Sequence, residues 1–88
     1  MNLKNCDIVL SIAGKDKGNF YMVVGFDNGR VLVSDGKSKT KEKPKKKNIK
    51  HLQLVCKNSN LLFQNVQNCD IIHTIKNYKQ ASNKLLEE

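Results

Sequence analysis

Eight lysines lie between positions 37 and 50 (Lys37, Lys39, Lys41, Lys43, Lys45, Lys46, Lys47 and Lys50), set against a single acid, Glu42. The 88-residue chain has a net charge of +8, so this one segment carries nearly all of the excess. Ammonium groups at such density neutralise phosphates and release counterions, which makes polyanion binding, to nucleic acid above all, the chemistry on offer. The run from Gly36 to Lys47 has no apolar residue and contains Pro44. It is expected to be an extended, mobile loop or arm that cannot pack. The plain alternative is a solvated lysine run without a partner, since lysine outnumbers arginine fifteen to one and asparagine occurs eleven times. Clustering favours binding, because a bias in composition would spread lysines along the whole chain.

Other chemistry has little to stand on. Cys6, Cys56 and Cys69 are odd in number and share no C-x-x-C spacing, so neither a disulfide framework nor a zinc knuckle is expected. Buried or half-buried thiols are the simpler reading of all three. His51 and His73 form no H-x-x-x-H pair, and no cofactor or metal is expected. A Cys56–His51 dyad fails on strand alternation, which sends the two side chains to opposite faces. With no phosphate-cradling loop and no catalytic triad or carboxylate pair, the chain is expected not to be an enzyme and to take no small-molecule substrate.

These residues need a scaffold. The composition, 39% hydrophobic and 27% charged, is that of a globular domain, and the length allows only one core. No apolar run is long enough to span a membrane, and no apolar segment follows Met1 to make a secretory signal, so a cytoplasmic location is expected. Residues 7–13 alternate, with Ile8, Leu10 and Ile12 on one face of a strand. Gly14 and Gly18 bracket a turn, Gly14-Lys15-Asp16-Lys17-Gly18. A second strand, 20–26, puts Phe20, Met22, Val24 and Phe26 on one side. Asn28-Gly29 then matches a type I′ hairpin turn into a third strand at 30–35. A two-residue turn pairs Asp27 with Arg30, Phe26 with Val31 and Val24 with Val33, leaving Arg30 engaged by Asp27. Residues 49–55 resume alternation, with Leu52 and Leu54 inward and His51 outward.

Four strands with short turns and one long loop predict a mainly β fold, a small, strongly curved antiparallel barrel. This barrel is expected over residues 1–57, with its lysine-rich loop at 36–48. Residues 58–88 form a helical extension packed on the barrel or trailing from it. Within the extension, Ile71, Ile72, Ile75 and Tyr78 make a helical stripe, with Asn68 as N-cap and Asp70 in the first turn. Leu61, Leu62, Phe63 and Val66 fit either a fifth strand or a turn of helix, and Leu85-Leu86-Glu87-Glu88 is expected to fray.

The stretch Val9-Leu10-Ser11-Ile12-Ala13-Gly14-Lys15-Asp16-Lys17-Gly18-Asn19-Phe20-Tyr21-Met22-Val23-Val24-Gly25 resembles the KOW motif of ribosomal and transcription-elongation proteins. Val31-Leu32-Val33-Ser34-Asp35-Gly36, the basic residues after it and Ile49-Lys50-His51-Leu52 look like a narrower subgroup. These are the small bacterial KOW proteins akin to the fourteen-e-type large-subunit ribosomal proteins of archaea and eukaryotes. The resemblance covers residues 6–55. It implies an SH3-like barrel that binds ribosomal RNA, its turn loop near the partner's backbone.

The residues themselves point the same way. Lys15 and Lys17 project from a tight turn, and Gly14 and Gly18 leave room for phosphate to approach backbone N–H groups. Tyr21 lies opposite the core, where it can stack on an unpaired base or pack on the helix. The expected RNA-binding set is therefore Lys15, Lys17, Gly18, Tyr21 and the eight lysines of the segment. The expected partner is RNA, ribosomal RNA and the large ribosomal subunit first, with the protein monomeric off the ribosome. The alternative is a protein-interaction module on an acidic partner such as the transcription or translation machinery, with Val23 and Leu32 as outer apolar contacts.

Overall fold

The computed structural model describes residues 2–58 and 61–86, with side chains described as far as Ser82. The strands are β1 (Ile8–Ser11), β2 (Phe20–Asp27), β3 (Arg30–Ser34), β4 (Lys45–Lys47) and β5 (Leu52–Cys56). Short 3-10 turns at Ile49–His51 and Phe63–Asn65 precede β5 and the helix α1 (Asn68–Leu86). All pairings are antiparallel, in the order β4-β3-β2-β1-β5, and the sheet does not close on itself. The fold is thus mainly β with a C-terminal helix, and it has five strands where alternation gave four. The additional one, β4, lies within the lysine segment.

Successive side chains of a strand point to opposite faces, and here both faces are apolar. On one, Val9, Tyr21, Val23, Val31 and Val33 gather beneath Leu3 and Leu52, with Leu54 half-buried beside them. On the other, Ile8, Met22 and Val24 meet Cys6, Val66, Ile71 and Ile75. The helix is what covers this second face. Ile71 and Ile75, one turn apart on its apolar stripe, are both buried. Each contributes roughly 1.5–3 kcal/mol by leaving water, so the helix packs on the sheet rather than trailing from it.

The hairpin turn is as expected: Asn28 and Gly29 have φ of 48° and 79°, the double positive that a type I′ turn requires. The register holds for two of the three expected pairs and fails for the third. Asp27 pairs with Arg30, Phe26 with Val31 and Gly25 with Leu32, but the ladder then shifts, and Val33 faces Val23 rather than Val24. Val24 is the extra residue of a β-bulge, which re-aims the strand and lets Val23 and Val24 enter different clusters. Phe26, expected inward beside Val24, is 54% exposed at the hairpin's end. Ile12 also differs. β1 stops at Ser11, and Ile12 donates its N–H to His51 O (2.9 Å) with its side chain 41% exposed.

The expected cap is displaced by one residue. Gln67 donates its N–H to Asp70 Oδ2 (2.9 Å) and accepts from the Ile71 N–H (3.1 Å), closing the first turn in the manner of a capping box. Asn68 instead reaches out of the helix: its Oδ1 accepts the N–H of Lys41 (2.8 Å) and its Nδ2 donates to Glu42 Oε1 (2.8 Å). Residues 63–65, open between strand and helix in the sequence, form a 3-10 turn. The helix continues through Leu86, where fraying was expected; Glu87 and Glu88 lie outside the described residues. Among the described residues no helix is long and apolar enough to cross a membrane.

Candidate nucleic-acid interface

The lysine segment, expected to be a mobile arm, is folded at every stage. Asp35 starts it with a turn: Oδ1 accepts the N–H groups of Lys37 (2.9 Å) and Lys39 (3.0 Å), and Oδ2 accepts the Ser38 hydroxyl (3.1 Å). Burial alone would raise the Asp35 carboxyl, but these donors hold it below the usual carboxylate range. Gly36 lies against the helix with φ 79°, and a Cβ there would sit 2.5 Å from Asn68 O. Lys41 spans to the other side of the junction, its ammonium on Val66 O (2.7 Å) and 4.7 Å from the centre of the Phe63 ring. Residues 45–47 then pair with β3 as an edge strand. Like charges do repel, yet here each ammonium that meets the fold has its own acceptor.

Asp16 is the main one. It sits at the centre of the Gly14–Gly18 turn with its side chain buried. Oδ1 accepts from Ser11 Oγ (2.9 Å) and Lys47 Nζ (2.9 Å), while Oδ2 accepts from the Tyr21 hydroxyl (2.9 Å) and Lys45 Nζ (3.0 Å). Lys47 also donates to Ala13 O (3.2 Å). Burial opposes the charge of Asp16, but these four donors together outweigh it and hold the carboxyl far below the usual range. Its bond to Lys45 raises that ammonium in turn. For Tyr21, burial first and the neighbouring carboxylate next push the phenol up, so the hydroxyl stays a donor. One carboxylate thus ties the turn to β1, β2 and β4.

This arrangement divides the expected RNA-binding residues. Tyr21 is 3% exposed and packs in the cluster away from the helix, with its hydroxyl on Asp16; it has no ring face to offer a base. Its position on the strand was read against a single buried face, and the sheet has two. Lys47 is 7% exposed and paired, Lys45 shares the same carboxylate, and Lys41 is committed to Val66 and Phe63. Lys46, on the opposite face of β4, pairs with Asp27 at 3.0 Å, so Asp27 engages Lys46 and not Arg30. Gly18 is exposed with φ 96° and open space where a Cβ would stand. The backbone N–H groups of Lys17, Gly18 and Asn19, however, are donated to Gly14, Ser11 and Asp16 within the turn. A phosphate there meets lysine side chains, not these backbone donors.

Lys15, Lys17, Lys37, Lys39, Lys43 and Lys50 are exposed and form no ion pair among the described residues. Among the described residues three acids are ion-paired within the fold, and the other three keep their charge while accepting from neutral donors, too few to balance these lysines. Asp7 pairs with Lys57, Asp16 and Asp27 with β4, Asp35 and Asp70 with backbone N–H groups, and Glu42 with Asn68. What remains at the surface is cationic and unbalanced. Sequence reasoning gave no role to Asp16 within the turn or to the helix lysines Lys76 and Lys79. Ser11 and Tyr21, both facing the turn from flanking strands, were the available signal for Asp16.

The two apolar positions expected to face outward do not. Val23 is fully buried and Leu32 is half-buried against the helix-side cluster. His51 is exposed, in a 3-10 turn rather than a strand. Of the three free thiols, Cys6 is buried and Cys56 half-buried, while Cys69 is exposed, against expectation. Among the described residues no three of His, Cys, Asp and Glu come together as a metal site. No protein-family model and no curated protein sequence matches the chain.

Proposed function

We propose that this chain is an RNA-binding module of the SH3-like, KOW type, associated with the ribosome through the RNA of its large subunit, and that it acts in the cytoplasm without catalysis. One observation carries the reading. Every acid among the described residues is engaged by the chain's own donors, while six lysines of the turn and the loop stand exposed without an ion pair. Such a surface attracts a polyanion and gains affinity by releasing its counterions. The antiparallel strand order, with β1 between β2 and β5, supports the SH3-like type, in an open form of the barrel that the KOW resemblance implies.

Lysine contacts to phosphate fix position and affinity and read no bases, so binding with little sequence preference is expected. With about five lysines engaged, RNA affinity should fall roughly 10²–10³-fold between 50 and 200 mM salt. Sedimentation of a cell lysate through a sucrose gradient at moderate salt tests the partner. Migration with the large ribosomal subunit, abolished by ribonuclease, supports ribosomal RNA. A position at the top of the gradient with and without ribonuclease removes stable ribosome association, and a flat salt dependence with purified RNA removes the phosphate mechanism.

A further inference from the structure

Where the Gly14–Gly18 turn hands over to β2, a groove of about 350 Å³ opens between the sheet and α1. That is at the small end of the range for ligand-sized clefts, roughly 300–1,000 Å³. Its floor is apolar, from Phe20, Ile72 and Ile75. Its rim is cationic and comes from two elements: Lys37 from the Asp35 turn, and Lys76 and Lys79 from successive turns of the helix. The one acid at the rim, Asp35, has its carboxylate oxygens on the N–H groups of Lys37 and Lys39 and on the Ser38 hydroxyl. Phe20 is half-buried, its ring 5.6 Å from that of Tyr78 and tilted by 56°, with Lys79 Nζ 5.5 Å from its centre.

We propose that this groove holds an unpaired RNA nucleotide, the base on the Phe20–Ile72 floor and the flanking phosphates on Lys37, Lys76 and Lys79. The inference rests on the RNA-binding reading and narrows it from a backbone contact to single-stranded RNA. The occupant follows from the two halves of the groove. An apolar floor beside an aromatic ring suits a flat ring, and three ammonium groups around it suit charges on either side of that ring. A duplex keeps its bases stacked away from such a floor, and an acidic peptide offers carboxylates without a ring. The groove also adjoins the turn that carries Lys15 and Lys17, so one strand can pass from the turn onto the helix. The helix then serves twice, covering the sheet with Ile71 and Ile75 and presenting Lys76 and Lys79.

The test is fluorescence anisotropy on the full chain, with a labelled single-stranded oligoribonucleotide of mixed sequence and an RNA duplex of the same length. The wild type is expected to prefer the single strand. Replacing Lys37, Lys76 and Lys79 together with Gln should weaken single-strand binding at least roughly tenfold at moderate salt and flatten its salt dependence. Phe20→Leu should weaken the single strand roughly tenfold with the salt slope and the duplex affinity unchanged, because stacking carries no counterions. The lysine triple lies on the surface, so it decides the matter should Phe20→Leu fail a thermal-melt check of folding. Single-strand affinity within twofold of wild type in the triple variant, with binding lost when Lys15, Lys17, Lys39 and Lys43 are changed instead, overturns the groove and leaves the RNA reading intact. Binding to a poly-glutamate peptide and to neither RNA overturns both.

Discussion

Lys45, Lys46 and Lys47 each bring their charge to a carboxylate, whereas Lys37, Lys39 and Lys43, a few residues earlier in the same run, bring theirs to solvent. Residue type is the same in the two halves. What separates them is strand alternation and an acid within reach. β4 points Lys45 and Lys47 to one face, where Asp16 waits in the turn, and Lys46 to the other, where Asp27 stands at the hairpin end. The earlier half turns about Asp35, whose oxygens are filled by backbone N–H groups and the Ser38 hydroxyl, so Lys37, Lys39 and Lys43 stay unengaged while Lys41 turns inward to Val66 O. A lysine run is therefore two devices here, one that closes the fold and one that stays available to a partner.

The sharpest way to break this distinction is Asp16→Asn. It leaves the buried Lys47 ammonium without its counter-charge, and loss of one member of a buried pair costs about 3–5 kcal/mol. A loss of unfolding free energy toward the lower end of that range, measured by urea denaturation, is expected, since asparagine keeps an acceptor. Replacement of Lys37, Lys39 or Lys43 by Gln should stay within about 0.5 kcal/mol. The same residue gives a pH signature. Asp16 is depressed in the native state, so its contribution is complete above about pH 4, the unfolded carboxyl value, and is lost as pH falls through its lower native value. Wild-type stability should drop below about pH 4 by more than that of Asp16→Asn, with Asp35 leaving a smaller dependence in both.

Gly36→Ala probes the joint between the exposed half and the helix. Its φ of 79° and the short approach of a Cβ to Asn68 O and Ile72 should cost more than about 1 kcal/mol in chemical denaturation. For single-stranded RNA, changing Lys37, Lys39, Lys43 and Lys50 together to Gln should lower the salt slope by up to roughly three, measured as log affinity against log salt. Lys45→Gln should leave that slope unchanged, and an equal loss per lysine in both halves would erase the distinction. Lys46→Gln, which removes an exposed pair with Asp27, should cost at most about 1 kcal/mol in chemical denaturation.

Part of this was written locally. The Asn28-Gly29 turn, the strands through Ile8, Met22 and Val33, and the helix carrying Ile71 and Ile75 follow from φ preferences and from periods of two and 3.6 residues, which a short window contains. The excess of positive charge is likewise a property of composition, independent of the fold. Three features escaped that window. The bulge at Val24 changes which residues share a face without leaving a mark in residue type, since Val23 and Val24 are the same residue and go to different faces. Tyr21 read as an outer residue because alternation identifies two faces and does not say that both are covered. The fate of each lysine was decided at long range: Asp16 and Lys47 are 31 residues apart, and Lys41 and Asn68 are 27 apart. The sequence by itself determined where this protein turns, pairs and coils and how much charge it carries. Only the tertiary structure decided which charges are cancelled, because a buried carboxylate selects its ammonium partners by distance in space, and distance along the chain does not report it.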